Sequence, residues 1–184
     1  MRVTWTQLAV PGLLLSGGAS VVDQRGAFTK VLSGDDEVLG SFEGKELYWT
    51  RSAAGVVRGL HFQLPPEATR KLVYVVNGAI RDFIVDLRVG SPTEKQLFEI
   101  ELNPSVGGLL VPVGCEHAYE ALEVDTIVCY AQDIPFGDPA TYAGILCSSA
   151  GIMPRSAAPI VMPRDLDFPM LSEFDSPFTF GSEL

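Results

Sequence analysis

Thirteen prolines and eighteen glycines punctuate this 184-residue chain. Turn residues recur roughly every 8–12 positions, the spacing of short strands in all-β folds. Such punctuation leaves little room for long helices. Between the breaks lie short β-rich runs. Leu72–Val76 is one, followed by Asn77-Gly78, a strong hairpin signal, and by a second run from Ala79 to Leu87. Gln96–Leu102 alternates, with Phe98, Ile100 and Leu102 on one face and Glu99 and Glu101 on the other. Leu109–Val111, Ala118–Leu122 and Thr126–Gln132 are three further strand candidates. The pattern predicts an all-β, antiparallel sandwich or barrel of jelly-roll type with a few short helices.

The length suits one domain, spanning residues 1–184, and a full hydrophobic core without staples. Two regions flank the strand-rich centre. Gly34–Gly44 is polar and acidic and reads as a short helix or loop. From about residue 154, prolines at 154, 159, 163 and 169 predict an extended C-terminal wrap over the surface. The aromatic tail with Phe178 and Phe180 is expected to dock.

The formal net charge is -10, which disfavours nucleic acid and anionic membranes as partners. Its distribution is uneven. Residues 51–88 carry six basic and three acidic side chains, inside an otherwise acidic chain. Cys115, Cys129 and Cys147 match no zinc spacing, and a chain this long needs no disulfides, so a reducing cytoplasm is expected. No apolar run reaches the ~18 residues of a transmembrane helix. The apolar start is broken by Pro11-Gly12 and reads as an opening strand and turn.

The chain has only two histidines, His61 and His117. Histidine is the side chain whose ordinary pKa suits proton transfer near neutrality. His61 lies in the basic segment, just before Pro65-Pro66. The segment Pro112-x-Gly114-x-x-His117 resembles the second motif of cupin proteins, which often bind metal through a His-x-His pair. Here the residue two after His61 is Gln63. Two histidines without an assembled carboxylate make a poor transition-metal site, so no metal is expected.

Longer motifs make a specific resemblance. Gly55-Val56-Val57-Arg58-Gly59-Leu60-His61-Phe62-Gln63, then Pro65-Pro66 and Lys71-Leu72-Val73, resembles the signature of the dTDP-4-dehydrorhamnose 3,5-epimerase family. In the family's order come Asp23-x-Arg25-Gly26-x-Phe28, the stretch Gly78 to Thr93 with Asp82 and Asp86, Val111-Pro112-x-Gly114-x-x-His117, and Leu171-Ser172-x-x-Asp175. The resemblance runs from about residue 20 to 178. It implies a cupin-type jelly roll that forms a homodimer and needs no cofactor. It implies as substrate a nucleotide-diphosphate-linked 4-keto-6-deoxy sugar, epimerised at C3, C5 or both. By the match, His61 is the base, Asp175 orients it, Lys71 stabilises the enolate and Tyr130 returns a proton. Arg25 and Arg58 hold the diphosphate, and Phe28, Gln63, His117 and Phe136 complete the substrate site. Asp86 reads as structural, and Asp82 as a support behind the site.

Several recognition positions depart from the family pattern. The family's second tyrosine, six residues after the first, is Phe136 here, and a usual Glu is Lys30. An Asn-x-Ser-x-Ser stretch reads Tyr48-Trp49-Thr50-Arg51-Ser52, and a Trp-Asn-Asp-Pro segment reads Cys147-Ser148-Ser149-Ala150. The implied chemistry is kept while sugar or nucleotide recognition differs. A sugar ketoisomerase of the same type and a non-catalytic nucleotide-sugar-binding cupin remain alternatives at this level.

Overall fold

The computed structural model describes residues 3–17, 19–33, 39–40 and 42–182. Among these residues, fourteen strands carry the fold. A six-stranded sheet has the order β1 (Thr4–Gln7), β2 (Leu14–Gly17), β11 (Gly108–Val111), β8 (Lys71–Asn77), β13 (Thr126–Gln132), β5 (Glu46–Ser52). A four-stranded sheet has the order β10 (Leu97–Leu102), β9 (Ile80–Asp86), β12 (Cys115–Ala121), β6 (Val57–Arg58). Two ribbons stand beside them: β7 (His61–Gln63) with β14 (Tyr142–Gly144), and β3 (Ala19–Asp23) with β4 (Gly26–Lys30). Every one of these strand pairs is antiparallel. The jelly-roll expectation is met, and so is the opening strand and turn. The acidic stretch Gly34–Gly44 falls largely outside the described residues, since 34–38 and 41 are not among them.

Side-chain alternation explains the layering. Val73 and Val75 of β8 and Val128 and Tyr130 of β13 meet Ile80 and Ile84 of β9 and Cys115 and Tyr119 of β12 in one buried cluster. The opposite faces of β9 and β12 are covered as well. Phe83, Val85 and Ala118 pack under Leu60, Phe62, Ile145, Ile152, Leu171 and Phe178. A strand buried on both faces has no solvated side to keep polar, which is why Phe83-Ile84-Val85 is unbroken by a polar residue, while the buried acids Asp82 and Asp86 of the same strand are held by hydrogen-bonding partners. Phe178 is buried and meets Phe62 edge-on at 6.2 Å, so the tail docks as its aromatic content predicts.

Two expectations need correction. Asn77-Gly78 does not join a hairpin, because β8 and β9 lie in different sheets. A type I′ hairpin turn needs positive φ at both central residues. Gly78 has φ +78°, but Asn77 is not left-handed and its side chain instead donates to Asp125 O at 2.8 Å. The pair is a corner that carries the chain between sheets, and a β-carbon at Gly78 would stand 3.0 Å from Thr126 Cα. Second, the wrap is not extended throughout. Pro163 opens a single helical turn, α1 (Pro163–Leu166), where its missing N–H costs nothing.

Gly59 fixes the geometry around the histidines. Its φ is +123°, and an added β-carbon would lie 2.4 Å from Ala118 Cα and 2.7 Å from His117 O. Only glycine lets the segment before His61 run this close to the strand that carries His117.

Candidate active site

Two adjoining cavities, of about 350 and 360 Å³, share Tyr48, His61, Lys71 and Arg164 in their walls. Arg58, His117 and Tyr130 line the first. Gln63, Phe136 and Tyr142 line the second. The structure therefore brings together seven residues expected from the sequence: Arg58, His61, Gln63, Lys71, His117, Tyr130 and Phe136.

His61 sits on β7, with Phe168 edge-on at 5.6 Å and Tyr142 at 5.7 Å from its ring. Its Nε2 lies 2.9 Å from Asp165 Oδ1, at ion-pair distance but without the alignment of a full hydrogen bond. Burial pushes the imidazole pKa below its ordinary value. The Asp165 charge opposes that shift, and Arg164 and Lys71 add to it. The ring thus rests neutral at pH 7, as a proton acceptor must.

Asp165 is the residue the sequence reading missed. It is 4% exposed and comes from the α1 turn, with the Arg164 Nε 3.3 Å away. The expected partner, Asp175, is exposed and makes no contact with His61 among those described. The Leu-Ser-x-x-Asp match placed the carboxylate on the docked tail. The polypeptide instead presents Asp165 from the proline-initiated α1 turn.

Lys71 begins β8 and donates from Nζ to the His61 carbonyl at 3.1 Å. Burial pushes its pKa down, and the charge of Glu116 pulls it back up. Glu116 is itself 6% exposed, and burial raises its carboxyl to about 8. The opposed directions belong to one pair, in which each charge supports the other. Removing the Glu116 charge with Glu116→Gln should let Lys71 lose its proton more easily. The expected result is an alkaline limb of the pH–rate profile displaced to lower pH, read from initial rates; an unmoved limb refutes the coupling.

Tyr130 is 4% exposed and stacks on its cross-strand partner Tyr48 at 4.8 Å. Burial, then the neighbouring Tyr119, Asp82 and Tyr48, raise its pKa well above 10, so the hydroxyl keeps its proton as a donor should. His117 Nδ1 lies 3.1 Å from Asp82 Oδ1, and Asp82 is wholly buried. Asp82 thus supports His117 from behind. Asp86 has the structural role expected of it. It takes Arg88 at 2.8 Å, Ser91 and Thr93, and its pKa falls to about 2 through those hydrogen bonds, against the opposing effect of burial. Arg58 Nε donates to Ser52 Oγ, which meets the Tyr119 hydroxyl at 3.0 Å.

Arg25 and Phe28 are not brought to this cleft. They lie on the β3–β4 ribbon around a separate surface hollow with Val21 and Lys30. Phe28 is 62% exposed, and Arg25 pairs with Asp23. Among the described residues, no three His, Cys, Asp or Glu side chains converge as a metal site needs. No helix there is long and apolar enough to cross a membrane.

Known proteins resemble this chain over most of its length. The family model for dTDP-4-dehydrorhamnose 3,5-epimerase matches residues 7–173. A curated dTDP-4-dehydrorhamnose 3,5-epimerase of Sinorhizobium fredii is 46% identical over 83 residues, 45% of this chain and 43% of that protein. The Streptomyces griseus protein of the same name is 30% identical over 91% of this chain and 86% of its own. The solved structure of NovW, a 4-keto-6-deoxy sugar epimerase of Streptomyces spheroides, superposes with a TM-score of 0.88. It is 29% identical and covers 94% of this chain and 89% of its own. With a family model matched across residues 7–173 and a curated relative aligned over 91% of this sequence, the chain belongs to the dTDP-4-dehydrorhamnose 3,5-epimerase family.

Proposed function

We propose that this sugar epimerase inverts one or both carbons flanking the ketone of a nucleotide-diphosphate-linked 4-keto-6-deoxy sugar, with His61 as base and Tyr130 as acid. The observation that carries the reading is that His61, the half-buried Lys71 and the buried Tyr130 line one cleft, where burial favours the neutral imidazole and the protonated phenol. A proton beside a ketone is removable when the enolate is stabilised. With His61 Nε2 turned to Asp165, Nδ1 is left to take the proton. The Asp165 carboxylate then stabilises the imidazolium that forms. Lys71 places its charge beside the enolate oxygen. Tyr130 gives up a proton to the opposite face, which inverts the centre. Arg58 suits the diphosphate, since its fork of donors matches anions. Gln63, His117 and Phe136 contact the sugar.

The reaction predicts wash-in of deuterium at C3, C5 or both when dTDP-4-keto-6-deoxyglucose is incubated with the enzyme in heavy water, followed by NMR. The rate should fall as pH drops through the His61 pKa, below 6.5, because imidazolium cannot accept a proton. No exchange with any dTDP-, CDP- or GDP-linked 4-keto sugar would sink the proposal. A carbonyl that migrates, with no centre inverted, would mark a ketoisomerase instead.

The working unit in this proposal is a homodimer in the cytoplasm. Val22 and Phe28 on the β3–β4 ribbon and Leu47 and Trp49 on the edge strand β5 are each more than half exposed, and a second copy would cover such apolar surface. Pairing would also give Arg25 and Phe28 a cleft to serve other than their own. The three unpaired cysteines suit a reducing compartment.

A further inference from the structure

The second cavity holds a hydroxyl that none of the roles above uses. Tyr142 opens β14 and pairs directly with Gln63 on β7, while His61 pairs with Gly144 two residues along. Side chains two apart on a strand share a face, so His61, Gln63 and Tyr142 look the same way. That shared face is the wall of the cavity. The Tyr142 hydroxyl is buried and has no hydrogen-bond partner among the described residues. The Gln63 amide beside it interacts with the Glu67 carboxylate, which also takes the Asp138 N–H and the Thr141 hydroxyl. An amide NH2 carries two donors, so one remains for the cavity.

Unpaired buried polar groups are costly, and at a cavity wall they point to a ligand atom that satisfies them. The Tyr142 ring is held on several sides. Arg164 lies over it at 5.3 Å, Phe168 and Phe136 approach at 6.3 Å, and His61 at 5.7 Å. A ring so enclosed presents its hydroxyl in one place, which is the preorganisation that binding needs. Phe136 brings an aromatic edge to the same cavity but no polar atom.

We infer that Tyr142 is a sugar-positioning residue, whose hydroxyl, together with the Gln63 amide, engages an oxygen of the sugar ring on the His61 side of the cleft. The inference rests on the epimerase reading above. A hydroxyl that both donates and accepts, beside an amide that donates, suits a neutral sugar hydroxyl. By fixing which way the ring lies against His61, this contact sets which carbon meets the base first.

Tyr142→Phe keeps the ring and removes only the oxygen. For this variant, kcat/KM with dTDP-4-keto-6-deoxyglucose should fall about tenfold, in line with a lost hydrogen bond to substrate. The ratio of deuterium entering at C3 and at C5 should shift by about threefold or more, while dTDP affinity measured by calorimetry stays within about twofold. The ratio does not depend on how much of the sample is folded, so it remains decisive if the variant is less stable. Wild-type kcat/KM with an unchanged ratio overturns the inference, and so does a loss matched by an equal loss of dTDP affinity. A wild-type enzyme that binds dTDP yet exchanges neither position overturns the epimerase reading itself, and this inference with it.

Discussion

Replacing His61 with asparagine is expected to stop deuterium exchange at both carbons, with a loss of about 10²- to 10⁴-fold, the usual worth of a general base. Asparagine fills a similar volume and can hydrogen-bond, but it cannot take a proton at any useful pH. The side chain of His61 is 24% exposed, so its replacement opens no cavity in the core and the thermal midpoint should stay close to wild type. Arg58 and the remaining cleft residues are untouched, so dTDP should still bind. The three readouts together separate lost chemistry from lost fold and lost binding. Exchange at the wild-type rate in a folded His61→Asn protein would remove His61 from the mechanism.

Asp165→Asn should also be severe, with exchange falling by about 10²- to 10⁴-fold, as when the carboxylate behind a catalytic histidine becomes an amide. The amide keeps the shape of the buried side chain while removing the negative charge 2.9 Å from Nε2. Two effects follow. The imidazolium formed as the substrate proton arrives loses its counter-charge. The resting pKa of His61 also drops further, because the Asp165 charge is what holds it up against burial. The residual activity should therefore show an acid limb displaced to lower pH, a signature that simple misfolding would not produce. Asp175→Asn is the control and should stay within about twofold of wild type, the usual range for an exposed position. A collapse of Asp175→Asn with Asp165→Asn near normal would reverse the assignment.

The contrast between those two aspartates shows what could be read from the linear chain. Period-two alternation and turn chemistry revealed β8, β10 and β13, because each has one face in the core and obeys a local rule. The cleft residues His61, Lys71, Tyr130 and His117 were legible because they sit inside ordered motifs on such strands. Asp165 was hidden by the wrap. An extended, proline-rich segment has no period, so nothing local says which of its acids turns inward. Long-range docking decides that, through Phe168 against His61 and Leu171 within the second core layer. Asn77-Gly78 failed for a related reason. A strong local turn signal was overruled by the need to pass from one sheet to the other, a choice made by packing rather than by the dipeptide. Tyr142 stands close to Phe136 in the sequence, but its place in the cleft comes from its pairing with Gln63 across two distant strands, which the linear chain does not display.

The α1 turn that supplies Asp165 has a consequence for timing. His61 leaves the ribosome about a hundred residues before its partner carboxylate, or roughly 5 to 20 s earlier at ordinary translation rates of about 5–20 residues per second. During that interval the strand that carries His61 also waits for its own partner, β14 at Tyr142–Gly144, so the imidazole is set in its sheet only shortly before Asp165 arrives. The proposed base and its counter-charge therefore come together only after the α1 turn has been made and has docked.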